Sequence, residues 1–172
     1  VKEQFALLKQ ILPDVKKVGI MYNSSEANSE VQARAAIEAC GELGLEYQEG
    51  TVTNVNDIQQ VVQSIVGEVD ALYIPTDNIM AGAASTVGAV SEQYQVPVVA
   101  GSIDQVEDGG LATYSLNYYE LGRQTAEMAA RVIEGEDPST MPIEQAEELE
   151  LYVNEDMAEA LGIDPDSIQV AE

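Results

Sequence analysis

The chain reads as an α/β domain, a three-layer α-β-α sandwich around a mainly parallel five-stranded sheet, flavodoxin-like in outline. Three observations predict it. Short apolar runs rich in β-formers, at residues 18–22, 71–74, 96–100 and 111–116, alternate with longer amphipathic stretches. The strand, loop and helix unit recurs four times at spacings of roughly 25 residues, which suits parallel strands joined by right-handed crossovers. Polar loops rather than tight hairpin turns leave three of the apolar runs.

Taken in order, Phe5, Leu8, Ile11 and Leu12 share one face of an opening helix that Pro13 closes. Residues 18–22 (VGIMY) are too short an apolar run for a helix and form the first strand. Residues 30–43 follow as a helix, with Val31, Ala35, Cys40 and Leu43 as its apolar positions and Gly44 as its stop. The run 45–52 mixes polar and apolar residues, as an edge strand does. Asn54 and Asn56 are candidate caps for a helix through Val66. Residues 71–74 (ALYI) form a wholly apolar strand, and a helix over 79–94, rich in Ala and Gly, packs closely on the sheet. A strand at 96–100, a Gly109-Gly110 turn, a strand at 111–116 and a helix over 118–134 come next. Residues 135–142 are a linker, 148–153 a partly exposed strand, and a short helix over 154–161 with a polar tail ends the chain.

Composition narrows the function. Thirty-one acidic residues against seven basic give a net charge of −24. That surface repels nucleic acid and anionic lipid. The apolar residues are periodic, so the acidity is not a mark of disorder; it reads as adaptation to high salt, where screening relieves self-repulsion. Cys40 is the single cysteine and there is no histidine, so an internal disulfide, Ser-His or Cys-His catalysis and the usual zinc sites are excluded. Cys40 is expected in the core. No signal-peptide pattern is read within these 172 residues, and no apolar run reaches membrane-spanning length.

Chemistry concentrates in three loops that a parallel sheet brings to one edge: Asn23, Ser24, Ser25 and Asn28; Thr76, Asp77 and Asn78; and Ser102 with Asp104. Amides, hydroxyls and carboxylates without a nucleophile–base pair suit hydrogen-bonded capture of a small polar molecule. Asp77 would pair with a ligand ammonium, and Ser24, Ser25 and the helix start near Asn28 would take a carboxylate. The same residue types are also good helix caps. No GxGxxG, Walker or EF-hand spacing is present, and the acidic runs 134–137 and 147–150 read as solvated surface. No cofactor and no metal site is expected.

At these residues the sequence becomes familiar. The opening VKEQ, VGIMYNSSEANS at 18–29, DALYIPTDN at 70–78, the run 96–144 with NYYELGRQTA at 117–126, and ELELYVN at 148–154 together resemble one family. It is that of the ABC-transporter substrate-binding proteins of the tryptophan/tyrosine type, with the type I periplasmic-binding fold. The resemblance implies two similar lobes closing on an aromatic amino acid or related compound. It implies that Asn23, Ser24, Ser25 and Asn28 lie in the cleft, with Thr76, Asp77, Asn78 and Asp104 opposite or beside them. It further implies an N-terminal lobe, about a hundred residues long, ahead of this sequence. Helix 118–134 would cross to that lobe, and the strand near Glu148 would return from it.

On this reading residues 1–116 are the C-terminal ligand-binding lobe, 117–142 the crossing helix and linker, and 143–172 the returning strand, short helix and tail. Without the other lobe, helix 118–134 is expected to fold back on a sheet whose fifth strand is 111–116; exchange between two chains is the alternative, and a monomer is favoured. The expected function is solute capture for an ABC importer, not catalysis. The expected partners are a small-molecule ligand, the ABC permease and the N-terminal lobe, but no nucleic acid. The resemblance places such a protein outside the cytoplasm, in the periplasm or anchored as a lipoprotein at the outer face of the membrane. A regulator's ligand-sensing lobe with the same fold is the second reading, and a flavodoxin-like enzyme the third.

Overall fold

The computed structural model describes residues 1–146 and 149–169. Five strands run parallel: β1 (Lys17–Asn23), β2 (Glu46–Val52), β3 (Ala71–Ile74), β4 (Val98–Ala100) and β5 (Ala112–Leu116). A sixth, β6 (Leu149–Val153), pairs antiparallel with β5, so the sheet order is β2-β1-β3-β4-β5-β6. Ile20, Tyr73, Val99 and Ala112 stand side by side across the sheet centre. The mixed strand β2 lies at the edge, as its polarity predicts, and its residues are largely exposed.

The period-two pleat sends alternate side chains to two helical layers. Val18, Ile20, Ala71, Tyr73 and Val99 pack under α1 (Lys2–Ile11) and α2 (Ala27–Leu43), against Phe5, Leu8, Ala33, Ala36, Ala39 and Cys40. Met21, Leu72, Ile74 and Val98 face the other layer, formed by α3 (Ile58–Ile65), α4 (Asn78–Ala81) and α5 (Ala84–Tyr94). A third cluster joins Leu7, Leu111, Ala112 and Tyr114 to α8 (Glu155–Ala160). Between the layers, buried Gln4 accepts from the Tyr73 hydroxyl at 2.9 Å and donates to the Tyr114 carbonyl at 2.9 Å, while the Phe5 and Tyr73 rings lie 5.0 Å apart. Cys40 is buried, and burial pushes its thiol pKa up to about 11.

Several expectations need correction. The sheet has six strands rather than five. Leu151 and Val153 of β6 supply an apolar side that packs beside Leu111 and Ala112, so this alternating strand completes the sheet edge; Glu148, expected within it, lies outside the described residues, as does Glu147 of the acidic run. The helix over 79–94 is two helices, α4 and α5, parted at Gly82 and Ala83. In α2 the buried stripe is Ala33, Ala36, Ala39 and Cys40, while Val31 and Leu43 are exposed. Gly44 ends that helix in the left-handed conformation, φ 67°.

The largest correction concerns α7 (Tyr118–Ile133). It does not fold back on the sheet: none of its residues is buried, and Tyr119 and Ile133 are 79% and 85% exposed. The face it was expected to cover is already taken. Leu7 of α1 packs over β5 from one side and α6 (Ile103–Glu107) contacts it from the other, while β6 occupies its free edge. The helix instead holds its own return segment, through Gln124 to Glu144 (3.2 Å) and the Gln145 carbonyl (3.1 Å), and through Arg131 to Glu144.

Candidate functional site

The carboxyl ends of β1, β3, β4 and β5 lie at one edge of the sheet, because these strands are parallel. Three loops leave that edge and are cross-linked. From the first, the backbone N–H of Asn23 donates to Asp77 Oδ2 at 2.7 Å, and Asn28 Nδ2 donates to the Thr76 carbonyl at 3.2 Å. From the second, Asn78 Nδ2 donates to Glu26 Oε2 at 2.8 Å and Thr76 Oγ1 to the Gly101 carbonyl at 3.2 Å. From the third, Gln105 Nε2 donates to the Pro75 carbonyl at 3.0 Å. Gly101 is required by this close approach: a Cβ there would stand 2.3 Å from the backbone nitrogen of Thr76.

Each expected residue has a definite place. Asn23 is buried, and its Oδ1 receives both the backbone N–H (3.0 Å) and the hydroxyl (2.7 Å) of Ser25. Ser24 is half-buried and its N–H donates to the Val52 carbonyl at 3.1 Å, tying the loop to β2. Ser25, Asn28 and Asn78 are exposed, and Thr76 is half-buried with its N–H bonded to Gln32 Oε1 at 3.1 Å. Asp104 stands exposed on the first turn of α6. The structure thus brings the first two groups into one hydrogen-bonded rim, and sets Asp104 beside it on the third loop.

Asp77 differs from its expected role. It is 2% exposed, and its second oxygen caps α4 by accepting from the Met80 N–H at 2.9 Å. Both oxygens hold backbone donors, so this carboxylate fastens the β1 and β3 loops together beneath the rim. The segment expected to be a plain loop after Gly101 is the short helix α6, capped by a reciprocal Ser102–Gln105 box.

Three residues of the site were not singled out from the sequence. Glu26 lies half-buried among three asparagines and accepts from Asn23 at 3.0 Å, from Asn78 at 2.8 Å and, more weakly, from Asn28 at 3.5 Å. Desolvation alone would raise its pKa; the amide hydrogen bonds outweigh it and hold the carboxyl below its ordinary value. Gln105 is buried, and the S-x-x-Q spacing from Ser102 is the signal that would have found it. Gln32 carries no comparable signal.

The rim is open to solvent. A concavity of about 440 Å³ lies beyond the end of β5, between α7 and the start of β6, lined by Asn117, Leu121, Gln124, Leu149 and Glu150. Among the described residues no group of three or more acidic or thiol side chains is placed to hold a metal ion, and no helix is long and apolar enough to cross a membrane.

Comparison with known proteins gives a consistent result. The model of the family "ABC transporter substrate binding protein" matches residues 1–171. A tyrosine-binding protein of Clostridioides difficile is 32% identical over 155 residues, which is 90% of this chain and 45% of the relative. Among solved structures, a substrate-binding protein with adhesive properties from Clostridium difficile, in its ligand-free open form, superposes with a TM-score of 0.81 at 38% identity, covering 95% of this chain and 56% of that one. An ABC domain from Streptococcus pneumoniae in complex with L-Trp gives a TM-score of 0.87 at 30% identity, covering 97% and 57%. The chain therefore spans about half the length of these relatives. With a fold, a sheet edge and a whole-chain match that agree, the chain belongs to the family of ABC transporter substrate-binding proteins.

Proposed function

We propose that this lobe forms one wall of a cleft that captures an aromatic amino acid or closely related small molecule for an ABC importer. The observation that carries the reading is the interlocked rim at the carboxyl edge of the sheet. It displays Ser24, Ser25, Asn28, Thr76 and Asn78 around Glu26, with Asn23 and Asp77 beneath and Asp104 alongside. Such a set binds and orients a polar solute by hydrogen bonds; it contains no nucleophile–base pair for turnover. The tyrosine-binding relative and the L-Trp complex supply the ligand class.

The rim is a wall and not an enclosure, so a second lobe is needed to bury most of the ligand. The length of the relatives leaves room for one, and exposed α7 is the element that would reach it. On this account the two-lobed protein works as a monomer on the outer side of the membrane and hands its ligand to a permease. Isothermal titration tests it: the two-lobed protein should bind L-tryptophan or L-tyrosine in the micromolar range or tighter, and lysine and glutamate far more weakly. Equal binding of all four, or of none, contradicts the proposal.

A further inference from the structure

The amide groups around Glu26 have a fixed direction. A carboxylate only accepts, so Asn23, Asn28 and Asn78 each turn their NH2 toward it. Asn28 is held the same way round by a second acceptor, the Thr76 carbonyl at 3.2 Å. Their carbonyl oxygens must then face away from Glu26. Asn23 Oδ1 is taken by Ser25, but Asn28 Oδ1 and Asn78 Oδ1 accept no hydrogen bond among the described residues, and both side chains are exposed. Two amides bonded to a half-buried anion, whose pKa lies below the ordinary value, therefore each turn an acceptor outward. Both oxygens of Asp77 and of Glu26 accept hydrogen bonds, but Asp77 is buried where Glu26 is half-buried, and Asp104 on the third loop has no such amides around it among the described residues.

We propose that Glu26, with the Asn28 and Asn78 carbonyls, is the subsite for the ligand's primary ammonium group. The inference rests on the function proposed above and adds to it the orientation of the ligand. An ammonium has three donors and no acceptor, which matches one carboxylate and two amide oxygens in charge and in hydrogen-bond sense. The aromatic portion then extends away from this lobe's rim.

The test uses the two-lobed protein and three probes: L-tryptophan, indole-3-propionate, which lacks the ammonium, and tryptamine, which lacks the carboxylate. Glu26→Gln should weaken L-tryptophan and tryptamine at least tenfold and leave indole-3-propionate within about twofold of the parent protein. Asn78→Ala, which keeps the charge and removes one acceptor, should weaken the two amines severalfold and again spare the acid. It decides the matter if Glu26→Gln fails to fold. Equal weakening of all three probes would make Glu26 a brace for the loops and overturn the subsite while leaving the function intact. A parent protein that binds no aromatic amino acid overturns both.

Discussion

Asp77 Oδ2 accepts the backbone N–H of Asn23 at 2.7 Å, across 54 positions of sequence, while Oδ1 of the same carboxylate caps α4. One buried acid thus fixes the relative height of two loops whose side chains form the rim at the carboxyl edge of the sheet. Asp77→Ala leaves two backbone donors without acceptors, one at a helix cap and one in a buried loop. The expected loss is about 2–3 kcal/mol of unfolding free energy. In the two-lobed protein it should also weaken L-tryptophan at least about tenfold, or ~1.4 kcal/mol, by freeing the loops. Urea denaturation and calorimetry measure the two effects; a variant as stable as the parent would show that this carboxylate fastens nothing.

A second acid ties the opposite end of β1. Asp70 Oδ2 accepts the N–H groups of Lys16 (2.8 Å) and Lys17 (2.9 Å), and these bonds hold its pKa below the ordinary carboxylate value. A depressed native pKa means that the stabilisation is fully present above the unfolded pKa, near 3.8, and is lost as pH falls through the native value. The gap in stability between the parent and Asp70→Asn should therefore be widest near neutral pH and close below about pH 3.8. A gap independent of pH would assign the effect of the substitution to something other than this ionisation.

Surface charge makes stability a function of salt. With a net charge of −24 the folded state repels itself, and exposed ion pairs such as Lys2–Glu42 and Arg34–Glu30 return little. Screening should raise the thermal midpoint by about 5 °C or more between dilute buffer and molar sodium chloride. A midpoint unchanged over that range contradicts adaptation to salt.

Helix α7 should be the least protected helix of its length. No residue in it is buried, whereas α2, of similar length, buries Ser29, Ala33, Ala36, Ala39 and Cys40. Amide hydrogen exchange should be faster across α7 than across α2 by orders of magnitude, since local opening of α7 exposes little apolar surface. Equal protection would mean that a partner covers α7 in solution, as a second chain would.

Much of this was legible in the sequence because local signals and tertiary burial agree. The run 71–74 became β3 at the bounds expected, and Gly44 ended its helix in the left-handed conformation that glycine favours. Failures came where local pattern and context diverge. Val31 and Leu43 looked like core positions, but the tight seating of α2 on β1 favours the alanines. The fold-back of α7 looked sound by connection length, yet α1, α6 and β6 already enclose β5, which no property of residues 118–134 announces. In the rim the sequence marked loops that the structure brings together, but not the burial of Asp77 or the amides around Glu26. Asp77 and Glu26 are equally plausible on paper; only their surroundings, two backbone donors for one and three amides for the other, separate their roles.

A titration of the isotopically labelled chain with L-tryptophan, followed by amide NMR, tests most directly whether the ligand meets this lobe at the carboxyl-edge rim. A single wall gives weak binding, so the account predicts fast-exchange shifts with millimolar affinity. Those shifts should concentrate at residues 23–28, 75–78 and 101–104, and the amides of α3, α5 and β2 should stay unmoved. Shifts centred on the α7 concavity or on the opposite sheet edge, or no shifts at saturating ligand, would contradict it.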